Sequence, residues 1–185
     1  MSEYFLKTWP ICWGWPERKE TILQTNQAAL KTYAIAFALS YLTAGIGGGL
    51  TELSPWYFAL KHPEWKPPDP YFGVIWSVIF TLCAISGAMA WRAAQSPVQQ
   101  KRIGLLFGTN AFLNILWSAI YFKLQRPDWA VFEVVFLWLS ILFLVMGLWG
   151  ISKKAACLIL PYWVWVSVAT VLNVETVKLN GPFIN

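Results

Sequence analysis

The chain has 185 residues, 57% of them hydrophobic and 12% charged, a balance that a soluble domain of this size cannot hide from water, so the bilayer is the expected solvent. Its 14 Lys and Arg against 9 Asp and Glu give a net charge of +5, but these cations are spread over short connecting segments, which argues against a nucleic-acid surface and for a role in membrane topology. Cys12, Cys83 and Cys157 have no CxxC spacing, and two of them lie in apolar stretches, so neither a disulfide framework nor a metal site is expected.

Residues 1–29 mix Trp9, Trp13 and Trp15 with Pro10, Pro16 and the charges between Glu17 and Glu20, too broken a run for a signal peptide, and read as an interfacial N-terminal extension. Residues 30–180 read as an all-α integral membrane domain, a bundle of five transmembrane helices with an ordered Pro/Trp-rich loop between the first and second, and residues 181–185 as a C-terminal tail. The spans fall at about 32–50, 70–91, 103–124, 129–151 and 155–179, each near the roughly 20 residues that cross a bilayer. In the first, Gly45 and Gly49 form a small-xxx-small pair suited to close helix contact. In the loop, Pro63, Pro67, Pro68 and Pro70 fix φ and remove backbone donors, so no regular helix runs through the part before Pro70. Asp69 is expected to cap the helix that starts there and carries Trp76 inward. Arg92 to Arg102 reads as a polar turn with Pro97 at its middle. With the N-terminus cytoplasmic, the inner segments hold Lys7, Arg18, Lys19, Lys31, Arg92, Lys101, Arg102, Lys153 and Lys154, nine cations against five outside, which places the Pro/Trp-rich loop on the far side of the membrane.

Two polar stripes run inside the apolar helices. Asn110, Asn114, Trp117 and Tyr121 recur at i, i+4, i+7 and i+11 of the third span, and Tyr162, Trp165, Ala169, Asn173, Thr176 and Asn180 share a face of the fifth. An amide in hydrocarbon needs a partner, so these faces point into the bundle, either as glue between helices or as the lining of a pocket. Glu133, four residues after Trp129, is expected to remain near the interface as an anchoring charge. His62 is the single histidine, and a lone His in a Pro-rich loop is an ordinary surface residue more often than a haem ligand. No GxSxG, HExxH, P-loop or GxGxxG motif is present, so no catalytic residue is assigned.

With the loop and stripes in hand, the chain resembles the translocator protein family, also called tryptophan-rich sensory proteins or peripheral benzodiazepine receptors, over about residues 32–180. The family's loop pattern stands here as Trp56, Tyr57, Leu60, His62, Pro63, Trp65, Pro67 and Pro68, with Trp76 following. Its third-helix pattern falls on Asn110, Asn114, Trp117, Tyr121 and Phe122, its fourth on Ala130 and Glu133, and its fifth on Pro161, Tyr162, Trp165, Ala169, Leu172, Asn173 and Asn180. Three departures matter. His62 replaces the usual loop lysine, with Lys61 beside it. Phe80 and Ala84 replace a Tyr and a Gly of the second helix. Val174 stands where a cholesterol-recognition consensus needs Tyr.

The resemblance implies a membrane protein that binds, transports or senses tetrapyrroles, porphyrin or haem, and similar flat hydrophobic ligands in a Trp/Asn-lined pocket under the loop. Trp56, Tyr57, His62, Trp65, Trp76, Asn110, Asn114, Trp117, Tyr121, Trp165 and Ala169 are the candidate ligand contacts, with Lys61, Lys66 or His62 to meet propionates. Porphyrin or haem enters as ligand, not as cofactor, and no metal ligand is assigned. A sterol is a further ligand class, the bilayer is a partner, and nucleic acid is not. Two alternatives stay open. One is a porphyrin-degrading or photo-oxidising enzyme. The other is a regulatory scaffold whose small-residue faces, Gly45 with Gly49 or Ala84 with Ala88, form a homodimer.

Overall fold

The structure, a computed structural model, describes residues 15–183, with side chains from Asn26 onward. Trp9, Cys12, Trp13 and the side chains of the N-terminal extension up to Thr25 lie outside the described residues. The elements are α1 (Trp15–Leu50), the one-turn α2 (Pro55–Ala59), α3 (Asp69–Ala93), α4 (Pro97–Ser118) continued by a π-turn (Ala119–Lys123), α5 (Pro127–Trp149) and α6 (Lys153–Asn180). No strand occurs among the described residues. Five helices are long and apolar enough to cross a membrane, over Asn26–Leu50, Asp69–Ala93, Pro97–Lys123, Pro127–Trp149 and Lys153–Asn180. The protein is an all-α, multi-pass membrane bundle.

Proline sets most of the helix starts. It occupies the first or second position of α2, α3, α4 and α5, where its missing N–H would find no intrahelical acceptor and its fixed φ suits the first turn. Pro97, expected in the middle of a turn, therefore opens α4, and Ser96 before it accepts the Gln99 N–H at 3.3 Å. Ser152 does the same for Ala155 at the start of α6. At α3 the expectation fails: Asp69 is the first helical residue and caps nothing, because its carboxylate is turned to Tyr57 and Lys66.

The five long helices close into a ring in which α1 touches α3 and α4, α3 touches α6, α4 touches α5, and α5 packs most extensively on α6. Ile141, Leu144 and Leu148 of α5 and Ile159 of α6 are fully buried, forming the densest part of the core. Interhelical polar bonds pin the ring, as expected where apolar contact alone does not distinguish protein from lipid. Ser86 Oγ donates to the Ala155 carbonyl (2.8 Å), Asn110 Nδ2 to Ser140 Oγ (2.8 Å), and Trp138 Nε1 to Ser167 Oγ (2.8 Å). On α1, Ser40 Oγ donates to the Phe80 carbonyl at 2.7 Å and the Tyr41 hydroxyl pairs with Thr81 at 2.9 Å.

Two small-residue faces differ from expectation. A side chain at Gly45 or Gly49 would meet nothing within 4 Å, so neither serves a close contact inside the bundle, whereas Gly47 faces Ser118 and Asn114 of α4 at 3.7 and 3.8 Å. Ala84 and Ala88 lie on the inner side of α3, 2% and 1% exposed. The π-turn ends α4 with Leu124 N–H on the Ala119 carbonyl and Arg126 N–H on that of Ile120, and Gln125 takes the left-handed conformation (φ 54°) that such an ending requires.

Candidate functional site

Beneath the loop between α1 and α3 lies a cavity of about 420 Å³, bordered by all five long helices, α5 contributing Val134 and Leu137. Tyr57 of α2 is buried, and its hydroxyl donates to Asp69 Oδ1 at 2.7 Å; Lys66 Nζ, itself largely shielded from solvent, pairs with the same carboxylate. That ammonium also stands 5.6 Å from the centroids of the Tyr57 and Phe72 rings, a position a cation favours over aromatic faces. The loop is thus stapled to the first turn of α3. Its other end is held by Asn180, whose side chain pairs with the Lys61 backbone as a neighbouring strand would: Lys61 N–H donates to Asn180 Oδ1 (2.8 Å), and Asn180 Nδ2 donates to the Lys61 carbonyl (2.7 Å).

This amide pairing carries a prediction. Asn180→Ala removes two bonds of about 1 kcal/mol each, so the loop amides around Lys61 will exchange with deuterium faster while those of α5 stay protected. Unchanged exchange across residues 58–66 would show that the pairing does not hold the loop.

Within the cavity, Trp76, Trp117, Trp165 and Phe72 supply aromatic walls, and Tyr57 and His62 form the roof. Trp76 meets Phe80 at 5.6 Å and Tyr162 at 5.9 Å, Trp165 meets Phe72 at 5.5 Å, and Trp117 lies 5.0 Å from Tyr121, so each ring is fixed by another rather than left to rotate. The π-turn contributes by presenting the adjacent Tyr121 and Phe122, both of which line the cavity, and Phe122 packs on Tyr57 at 5.8 Å. Asn114 donates to the Tyr162 hydroxyl at 3.1 Å and lines the floor. The indole N–H groups of Trp117 and Trp165 are buried and have no partner among the described residues, as do both ring nitrogens of His62. A buried donor without an acceptor is costly, and here the available space beside it is the cavity.

The roof is electrically balanced. Burial, reinforced by the bond to Asp69, pushes the Tyr57 phenol well above its usual range, so it remains a donor. Burial, with the Lys66 ammonium nearby, holds the His62 imidazole below its ordinary value, so it is neutral at pH 7. Lys66 is committed to Asp69. Lys61 is exposed at the loop edge and makes no ion pair among the described residues.

The structure gathers Tyr57, His62, Trp76, Asn114, Trp117, Tyr121, Trp165 and Ala169 around one space. It separates three others. Trp56 packs edge-on against Tyr121 at 6.3 Å, outside the cavity; Trp65 is exposed on the loop; Asn110 is spent on Ser140, one helix layer lower. The two readings of the asparagine stripe therefore divide by residue, with Asn110 as glue and Asn114 doing both jobs. Asn173 also does both: it lines the cavity, and with its amide turned to suit its neighbours it donates to the Pro127 carbonyl (3.1 Å) and accepts from the Val131 N–H (3.2 Å), holding α6 against the first turn of α5. Gly47, Gly48 and Ala44 of α1 and Phe72 of α3 line the cavity without having been marked by the sequence. Glu133 is a correction: it is 6% exposed, on the inward face with Ala130 and Leu137, and neither carboxylate oxygen has a partner among the described residues. Because α5 already starts at Pro127, residue 133 lies well inside the helix.

The TspO/MBR family profile matches residues 23–179. The chain belongs to the TspO/MBR family. Among relatives of this TspO/MBR protein, Protein CrtK of Rhodobacter capsulatus is 32% identical over 153 residues, 82% of this chain and 94% of that protein. The tryptophan-rich protein TspO of Chlorobaculum tepidum is 31% identical over 80% of this chain and 96% of its own length. The translocator protein of Bos taurus is 26% identical over 64% of this chain and 70% of its own.

Proposed function

We propose that this TspO/MBR protein binds flat, partly apolar ligands, tetrapyrroles above all, in the cavity beneath the loop, and that binding serves transport or sensing. The observation that carries this reading is a space of about 420 Å³ walled by three indoles, each held by a neighbouring aromatic ring, two of whose N–H groups have no acceptor among the described residues. The volume lies in the range of pockets that hold small organic ligands, and stacked aromatic faces favour a planar ring over a flexible chain. The names of relatives, tryptophan-rich sensory protein and translocator protein, accord with a ligand-handling membrane role. Ligand carboxylates would lie toward the loop, where Lys61 is the cation without an ion pair among the described residues and His62 can gain a charge.

A titration of the purified protein in detergent with protoporphyrin and with a sterol, followed by tryptophan quenching in the dark and under light, tests the reading. Saturable quenching by protoporphyrin in the dark, with the porphyrin recovered intact, is expected; products that form only under light would favour the photo-oxidising alternative.

The His62 roof adds a pH dependence. Since burial lowers the folded imidazole's proton affinity, the charge appears only as pH falls below about 6.5, and a bound dicarboxylate draws the proton on. Affinity for protoporphyrin will rise over that acidic window, and its dimethyl ester will show no such rise. His62→Lys will bind tightly at all these pH values and His62→Gln weakly at all of them. Equal pH responses in wild type and His62→Gln would assign the carboxylate to Lys61.

A further inference from the structure

A second hollow, about 550 Å³, lies in the half of the bundle away from the loop, between α1 and α4 with α3 as its floor. It is separate from the ligand cavity, and Phe80, Asn114 and Tyr162 stand at the partition. Its floor is built of small residues, Cys83, Ala84, Gly87 and Ala88, and its sides are apolar, with Ile35, Leu39 and Leu42 of α1 about 60% exposed along its mouth. All of these residues lie within the membrane-spanning stretches of their helices, so the mouth opens on lipid hydrocarbon.

Each of the three helices that border this cleft carries a cation just beyond the residues that line it, on the same face and at the end of the cleft away from the loop. Lys31 stands four residues before Ile35 on α1, Arg92 four after Ala88 on α3, and Lys101 three before Gly104 on α4, and offsets of three and four keep residues on one helical face. The ends of α3 and α4 adjoin, since a Cβ on Gly104 would lie 4.0 Å from the Trp91 ring. All three cations are exposed, and none makes an ion pair among the described residues. Arg102, by contrast, leans over Gly147 of α5, on the other side of α4. An excess of cations at one membrane face would serve orientation alone. Orientation, however, does not require all three to share the helix faces that line an apolar cleft.

We infer that the α1/α3/α4 cleft is a binding site for one anionic glycerophospholipid, its acyl chain lying between α1 and α4 and its phosphate held by Lys31, Arg92 and Lys101. The occupant is fixed by charge complementarity. A neutral lipid or a sterol would fill the groove and leave three cations unmatched, and free phosphate would match the cations and leave the groove empty. Basic residues at the headgroup level favour anionic lipid.

The experiment is native mass spectrometry of the full chain released from detergent micelles containing equimolar phosphatidylglycerol and phosphatidylcholine of identical chains, alongside thermal melting with each lipid and with inorganic phosphate. Retention of one phosphatidylglycerol, favoured over phosphatidylcholine by about tenfold, with a Tm rise that phosphate alone does not reproduce, is the expected result. The triple variant Lys31→Gln/Arg92→Gln/Lys101→Gln will lose the preference while still holding either lipid weakly. Gly108→Leu, whose added carbon meets nothing within 4 Å, fills the cleft and will lose retention of both lipids while remaining monodisperse and still quenched by protoporphyrin. Equal retention of the two lipids, a preference that survives the triple variant, stabilisation by phosphate alone, or an undiminished lipid adduct in Gly108→Leu would each overturn the inference. The lipid readouts do not depend on tetrapyrrole binding, so the two proposals fail separately.

Discussion

Trp76→Ala and Asn114→Ala will each weaken protoporphyrin binding by about 1 to 3 kcal/mol, roughly 5- to 150-fold, while the protein remains folded and extractable. Trp76 lines the cavity from α3, fixed between Phe80 and Tyr162, so its loss removes a stacking face and leaves a void that a ligand ring must bridge. Asn114 acts from below: its Nδ2 is committed to the Tyr162 hydroxyl, and its truncation leaves that hydroxyl unpaired under the ligand. The control is Trp65→Ala. Trp65 is exposed on the loop and does not line the cavity, so its quenching curve should change in amplitude but not in midpoint. A Trp65 effect as large as that of Trp76 would move the binding surface to the outside of the loop.

Glu133→Leu will stabilise the protein by about 1 to 3 kcal/mol. The bond between Asn110 and Ser140 fixes the register of antiparallel α4 and α5, and seven residues along each helix Glu133 falls level with Trp117. Both oxygens of Glu133 and the Trp117 N–H are without partners among the described residues, so the wild-type bundle carries the cost of a buried polar group that makes no bond. Leucine fits the apolar face shared with Ala130 and Leu137, and glutamine, still polar, should recover less. Thermal melting in detergent checks the order Leu above Gln above wild type. A lower Tm for Glu133→Leu would mean that the carboxylate is bonded in the working protein, and a loss of porphyrin binding with it would tie that bond to the ligand.

Both predictions depend on what the sequence made legible and what it did not. The five spans were readable because hydrocarbon demands an apolar run of near-fixed length, and the inward faces of α4 and α6 because amides at i and i+4 cannot face lipid. The loop was readable as an ordered cover from its prolines, yet the turn Pro55–Ala59 within it was not marked, although Ser54 followed by Pro55 is a helix-start signal. Asp69 carried a second signal that competed with capping: Lys66 lies three residues before it, and the ion pair took the carboxylate. Motif membership groups Trp56 and Trp65 with the pocket, and the polar stripe leaves Asn110 as either glue or lining, whereas their positions depend on how the loop folds back and on Ser140 of another helix. The depth of Glu133 follows from an inward face set by α5 packing on α4 and α6, which a single helix's pattern does not reveal. The cleft beside α1 is formed by α1, α3 and α4 together, and no residue pattern within one helix encodes it.

The central claim is that a planar tetrapyrrole lies under the loop, among Trp76, Trp117 and Trp165. An experimental structure of the protein with protoporphyrin bound tests it most directly. The macrocycle is expected in that cavity, below Tyr57 and His62, with its carboxylates toward Lys61 and the Trp117 or Trp165 N–H directed at the ligand. A macrocycle seated in the α1/α4 cleft or on the lipid-facing surface, with the cavity under the loop unfilled, would contradict it.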